Sequence, residues 1–256
     1  MSIIVEQDEQ VRIITINRPH VRNAVDGPTA AELAQAFRDF DQDDKSYVAI
    51  LTGAEGTFCA GADLKAVASK QGNKVTLDGD GPMGPSRMLL SKPTIAAIEG
   101  HAVAGGLELA AWCDLRVAAD DATFGVFCRR WGVPLVDGGT VRLTRLLGES
   151  HAMDLILTGR GVQGLEAQRI GLVNRLTEPG QALEEAIALA KSLCGFPQMC
   201  MRHDRLSAYQ QWGKDLDSAL QQETELGLAV IRSGETQAGA ARFAEGKGRH
   251  GDFDNI

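Results

Sequence analysis

Little in the chain would tie it to a metal, a membrane or nucleic acid. Its 256 residues hold five cysteines, Cys59, Cys113, Cys128, Cys194 and Cys200. That odd number includes no CxxC spacing, so reduced thiols are expected, and neither a disulfide framework nor a zinc site is. The histidines His20, His101, His151, His203 and His250 form no HxxxH or HxxE pair, which again leaves no metal site in prospect. Positive charge is also short. A formal net charge of −8 lacks the basic footprint that a general nucleic-acid binder needs. No run reaches the ~18 apolar residues of a membrane span. The opening MSIIVEQDEQ has no signal-peptide pattern, so a cytoplasmic protein is expected. The rest, 44% hydrophobic and 23% charged, is the composition of an ordinary globular protein.

The stretch from Thr94 to Ala118 is the most informative. TIAAIEG, HAVAGG and LELAAWCDLRVA read as a buried strand, a glycine-bearing turn, a short helix and a second strand. Gly105 and Gly106 fall where the helix should begin. A helix start leaves backbone N–H groups unpaired and carries the positive end of the dipole, so it suits an anion or a developing oxyanion. Without a side chain, Gly105 lets a ligand come close to those donors. Glu108, three residues on, is the one acidic residue of an apolar run. Such a carboxylate finds a partner, raises its pKa or does chemistry. Capping or pairing within the first turn and a catalytic role are both open at this point.

Along the chain, Ser2–Glu6 and Gln10–Asn17 alternate apolar and polar residues as a hairpin would. NRPHVRNAV is a loop, either an ordinary connection or a basic lip for a phosphate-bearing ligand. Pro28 to about Asp41 spaces Leu33, Phe37 and Phe40 for one helix face, and YVAILT is a buried strand. In the segment that follows, FCAGADL (58–64) is a run of small residues that admits close backbone approach, or simply a tight loop. Gln71–Pro85 is polar and rich in glycine and proline, which suits a mobile loop or lid. A helix is expected to begin over Arg87–Leu90. Phe124–Val136 reads as irregular, and a helix is expected from Gly138-Gly139 through Leu147. Asp137 stands where a carboxylate could cap that helix. Short helices are predicted at Ser150–Leu157 and Gly164–Ile170, then Ala182–Leu193, Met199–Gln211, Asp215–Ser233 and Gln237–Glu245. The shift near Pro197 divides an α/β core, 1–196, from a helical region, 197–256. The stripe Leu216, Leu220, Leu226, Leu228 and Ile231 is expected to pack against protein, within the subunit or across subunits.

FCAGADL, followed about forty residues later by IEGHAVAGGLELAAWCDLRVA, resembles the enoyl-CoA hydratase/isomerase, or crotonase, family. NRPHVRNAV and RFAEGKGRHGDF look like that family's opening and closing motifs, so the resemblance covers essentially the whole chain. It implies an α/β spiral of ββα units followed by a C-terminal helical trimerisation region, with trimers that often pair into hexamers. The expected ligand is an acyl-CoA thioester; no cofactor is implied, since coenzyme A is part of the substrate. Carried over position by position, the N–H groups of Ala62 and Gly105 form the oxyanion hole. Arg22, Ala24, Ala60, Asp63 (through its backbone) and Leu64 match segments that line the CoA site. Phe243 and Lys247 match the tail motif that reaches the CoA of a neighbouring subunit.

One departure stands out. Hydratases of the family use two glutamates; Glu108 matches the first, but the second position, in FGVFCRRWG, is Cys128. A thiol cannot orient water as a carboxylate does. Counted back from Thr140, Asp137 matches the place where some isomerases and the 4-chlorobenzoyl-CoA dehalogenase carry a working aspartate. The leading expectation is a hydratase or double-bond isomerase using Glu108 and Asp137. The alternatives are a hydrolase or dehalogenase in which Asp137 attacks the substrate, and a CoA-ester binding protein without catalysis.

Overall fold

The computed structural model describes residues 1–252. Phe253, the last residue of the tail motif, and the residues after it lie outside the described residues. The chain opens as an antiparallel hairpin of β1 (Ile3–Asp8) and β2 (Val11–Ile16), with Ile3 opposite Ile16 and Asp8 opposite Val11. After a 3-10 turn at Pro19–Val21, α1 (Gly27–Gln42) begins where the Asp26 carboxylate accepts from the Thr29 N–H at 2.9 Å, with Pro28 in the first turn. Next come β3 (Val48–Gly53), the short α2 (Leu64–Ala68), β4 (Thr94–Ile98), β5 (His101–Val103), α3 (Gly105–Trp112) and β6 (Leu115–Ala119). β7 (Thr123–Gly125) leads through a 3-10 turn at Phe127–Trp131 into α4 (Gly139–Thr158), which is broken at Gly148, where φ is 74°. β8 (Gly161–Gln163), α5 (Gly164–Arg169) and β9 (Arg175–Thr177) precede four helices: α6 (Ala182–Cys194), α7 (Gln198–Gln210), α8 (Leu216–Ser233) and α9 (Glu235–Ala244).

A six-stranded sheet has the order β1-β2-β3-β4-β6-β9 and is parallel from β2 onward; a three-stranded sheet has the order β5-β7-β8. The chain twice lays a strand in the large sheet, steps to a strand of the small one and then enters a helix. β4, β5 and α3 form one such unit, and β6, β7 and α4 form the next. Both faces of the large sheet are covered at its centre, which is why β3 and β4 are apolar runs rather than alternating ones, while the edge strand β1 is largely exposed. In β3, Ala49 and Leu51 face the main core with Phe37, Phe40 and Phe58, while Val48 and Ile50 face α6 through Ala186, Leu189 and Ala190. By contrast α7, α8 and α9 bury only Val230, leaving Leu216 (73% exposed), Leu220, Leu228 and Ile231 open. The apolar stripe of α8 is therefore not covered within the described chain.

Three expectations are corrected. No helix begins over Arg87–Leu90; a 3-10 turn at Pro85–Arg87 gives way to extended chain at Met88, because Pro85 can open a turn but the following segment must reach β4. Phe124–Val136 is more ordered than its composition suggests, since Phe124 and Gly125 pair with Val162 and Gly161 in the small sheet. The stretch Gln71–Pro85 is exposed only in its first part. Residues Gly81 to Ser86 are buried, and Met83 enters the main core.

Candidate active site

The turn into α3 is built by close approach. Ala104 precedes the helix with φ of 54°, a left-handed conformation costly for a residue with a Cβ. A Cβ on Gly106 would lie 2.1 Å from the Cys59 carbonyl oxygen, and one on Gly105 would lie 2.8 Å from Met83 Sδ. Gly61, at φ of 95°, brings the small-residue loop so near that its own Cβ would sit 2.9 Å from the Gly105 nitrogen. Thus the two glycine-bearing loops meet. Parallel bridging of Val25 to Ala62 uses the Gly61 carbonyl and the Asp63 N–H, leaving the Ala62 N–H outside the ladder. Among the described residues, neither Ala62 N–H nor Gly105 N–H donates to the chain.

Both amides and both acidic residues line one cavity of about 610 Å³, together with Ala60, Leu64 and Cys128. Its wall is otherwise mainly apolar, including Val67, Met83, Phe127 and Trp131. Glu108, 3% exposed, does not cap its own helix. Its Oε1 accepts from the Gly139 N–H at 2.8 Å and the Asp137 N–H at 2.9 Å, so it caps the start of α4 instead. Asp137, also 3% exposed, is not that helix's cap; Gly138 holds the position. The Asp137 Oδ1 accepts from the Met83 N–H at 2.8 Å and from the Ser86 hydroxyl. Each carboxylate therefore has one oxygen tied and the other, Oε2 or Oδ2, without a hydrogen-bond donor among the described residues.

Burial pushes the Glu108 carboxyl up from its ordinary 4.5 to about 7, and the Asp137 charge adds to the rise, against the two backbone donors. Asp137 is also raised, by burial first, with the Ser86 and Met83 donors opposing. The Cys128 thiol is raised by burial and then by the negative charge of Glu108, so it stays neutral near pH 7.

The chain brings together Glu108, Asp137, Ala62, Gly105, Ala60 and Leu64, but not every residue carried over from the motifs. Arg22 is exposed and meets the site only through its carbonyl, which accepts from the Ala60 N–H at 3.1 Å. Ala24 is buried, and the Asp63 carboxylate caps α2 at Lys65 N–H (3.0 Å) and pairs with Arg18 at 3.2 Å. Of the Asp63 backbone, the N–H is committed to the Val25 carbonyl. Phe243 and Lys247 are exposed and do not line the cavity. Three supporting residues escaped the sequence reading: Met83, Ser86 and Arg142. The one available signal was Met83, an apolar side chain inside a polar glycine- and proline-rich segment, which has to be buried somewhere.

A model of the enoyl-CoA hydratase/isomerase family matches residues 6–253. The chain belongs to that family. It is 36% identical to the enoyl-CoA hydratase EchA19 of Mycobacterium tuberculosis, with 94% of this chain and 93% of the relative covered. It is 35% identical to the short-chain-enoyl-CoA hydratase of Clostridium acetobutylicum, with 88% and 87% covered. The crystal structure of enoyl-CoA hydratase EchA1 from Mycobacterium marinum superposes with a TM-score of 0.90 at 38% identity, covering 95% of this chain and 96% of that one. The crotonase fold expected from the motifs is therefore the fold present. Within the enoyl-CoA hydratase/isomerase family, this member has a thiol, Cys128, where the hydratase motif leads one to expect a second glutamate, and its second cavity carboxylate is Asp137. Among the described residues, no group of three or more His, Cys, Asp or Glu side chains is placed to hold a metal ion, and no helix is long and apolar enough to cross a membrane.

Proposed function

We propose that the protein is an acyl-CoA enzyme that moves protons on enoyl thioesters, as a hydratase or a double-bond isomerase. The observation that carries this reading is a pair of buried carboxylates, each with one free oxygen, in the cavity that also holds two unpaired backbone donors. In this reading the Ala62 and Gly105 N–H groups hold the thioester oxygen as it becomes an enolate. Preorganised donors of that kind contribute ~2.7–4 kcal/mol each to a transition state. For isomerisation, the Glu108 carboxylate takes a proton from the α carbon of a 3-enoyl thioester, the electron pair moves onto the oxygen, and a carboxylic acid returns a proton at the γ carbon. For hydration, one carboxylate takes a proton from water as its oxygen adds to the β carbon, and the other protonates the α carbon. A Glu108 that titrates near 7 serves either role at neutral pH. The neutral Cys128 thiol cannot activate water, so hydration depends on Asp137.

The same reading gives Arg22, Ala24, Ala60, the Asp63 backbone and Leu64 to the coenzyme A path, with Phe243 and Lys247 reaching the CoA of a neighbouring subunit. The open face of α8 supports assembly as a homotrimer or a hexamer through residues 197–256. A cytoplasmic location and the absence of any separate cofactor complete it. A second reading, nucleophilic attack by Asp137 in a hydrolase or dehalogenase, draws support from the aromatic wall of Phe127 and Trp131. Its sign is a covalent adduct on Asp137.

The test is incubation with crotonyl-CoA and a 3-enoyl-CoA, with mass and absorbance analysis of the products. Water gain or movement of the double bond into conjugation is expected, and Glu108→Gln and Asp137→Asn should each cut turnover at least tenfold while CoA-ester binding survives. Full activity in both variants refutes the carboxylate mechanism.

A further inference from the structure

The segment Gly81–Ser86 is tied to Asp137 more closely than a connecting loop needs to be. Ser86 is 1% exposed, and its hydroxyl donates to Asp137 Oδ1, the oxygen that also receives the Met83 N–H. Arg142 of α4 braces the same unit from behind, donating to the Asp137 carbonyl and to the Ser86 carbonyl, each at 2.7 Å. Gly81 leaves the room this arrangement requires, because a Cβ there would lie 1.8 Å from Ser86 Oγ and 3.0 Å from Asp137 Oδ1. Met83 meanwhile lays its side chain against Gly105, so one short segment touches both the carboxylate and the oxyanion donors.

From this geometry we infer that Ser86 is a positioning residue: its hydroxyl fixes Asp137 Oδ1 so that Oδ2 is presented, ionised, to the acyl chain. The inference rests on the proposed role of Asp137 in catalysis. A hydroxyl donor favours the charged carboxylate over the acid, so losing it raises the pH at which Asp137 ionises. The charged and titratable groups facing Asp137 are Glu108 from α3, Arg142 from α4 and Arg87 from the 3-10 turn at Pro85–Arg87. Glu108 opposes ionisation and the two arginines favour it, so the Ser86 hydroxyl adds to an existing balance rather than setting it alone.

The test is the pH profile of kcat/KM for Ser86→Ala, with Gly81→Ala as the second variant. The latter keeps both groups but drives a Cβ between them, 1.8 Å from Ser86 Oγ and 3.0 Å from Asp137 Oδ1, and so breaks their contact, which leaves the question answerable if Ser86→Ala fails to fold. In crotonyl-CoA hydration with Asp137 as the base and Glu108 as the acid, both are expected to move the acidic limb of the profile upward by about one pH unit, with kcat at neutral pH falling severalfold and KM little changed. In an Asp137→Asn background, Ser86→Ala is expected to add less than a twofold effect. If Asp137→Asn slows turnover at least tenfold but the folded Ser86 and Gly81 variants keep the wild-type limb, the positioning role is overturned and the catalytic Asp137 stands. If Asp137→Asn is fully active, both fall together.

Discussion

Glu108 holds its place at a cost to the fold, and that cost is measurable. Its carboxyl titrates near 7 in the folded chain against an ordinary 4.5, and it is 3% exposed, so solvent does little to soften the shift. The folded state therefore binds a proton more tightly than the unfolded state between these two values. Stability is unaffected by this group below about pH 4.5, falls as pH rises through the interval, and levels off above about 7. At about 1.4 kcal/mol per pH unit, the full penalty is about 3 kcal/mol. Glu108→Gln removes it while keeping an acceptor for the Asp137 and Gly139 N–H groups. The variant should match the wild type in urea unfolding near pH 4.5. It should exceed the wild type by about 3 kcal/mol at pH 8, a rise of roughly 6–12 °C in Tm for a chain of this size, even as turnover falls at least tenfold on the proposed mechanism. The assay is paired urea titration at one protein concentration across pH 4.5 to 9. A difference that does not change with pH would refute the reasoning. So would a variant less stable at pH 8, which would mean that the helix start holds the Glu108 anion more strongly than burial penalises it.

Cys128→Glu adds a third carboxylate to the cavity wall, beside Glu108 and Asp137, and should raise hydration of crotonyl-CoA at least tenfold; an unchanged rate would show that a carboxylate at position 128 is not what limits hydration. Gly106→Ala drives a Cβ against the Cys59 carbonyl, 2.1 Å away, whereas Gly105→Ala meets the Met83 side chain, nearest at Sδ, 2.8 Å away, which can shift more easily than backbone. Urea unfolding should show a loss of several kcal/mol for the first and a smaller loss for the second; the reverse order would be wrong for this packing. Arg116→Met strips donors from the Leu172 and Cys113 carbonyls, now held at 2.7 and 2.8 Å by a side chain 2% exposed. The expected loss is about 2–4 kcal/mol, and a loss under about 1 kcal/mol would show that water replaces the guanidinium.

The fold was legible wherever periodicity was long. α1, β3, β4, α3 and the C-terminal helices follow directly from apolar spacing. The three-residue strands β5, β7, β8 and β9 did not, because strands that short carry no period and owe their pairing to neighbours distant in sequence. At the site, the glycine pair and Glu108 were visible as local chemistry, and motif resemblance supplied Ala62 and Asp137. The helper residues were not visible. Ser86 and Met83 act on Asp137 across 51 and 54 positions of sequence, and no local rule reaches that far. Asp137 also showed the limit of a propensity argument. It has the right residue type for a helix cap, yet the cap's role goes to Glu108, which arrives from another helix.

The way Glu108 is held bears on how such a site can change over generations. Its Oε1 is pinned by the backbone of residues 137 and 139, and Asp137 is part of that same piece of chain, so the two carboxylates are spaced by main-chain wiring rather than by side-chain choice. Cys128 stands on a separate 3-10 turn outside that wiring. Substitutions at Cys128 can change the cavity wall without breaking the hydrogen bonds of the wired pair, while substitutions at Glu108 also touch the start of a 20-residue helix. New chemistry on this scaffold is therefore cheapest to reach through the turn that carries Cys128, with the frame that holds the two acids left intact.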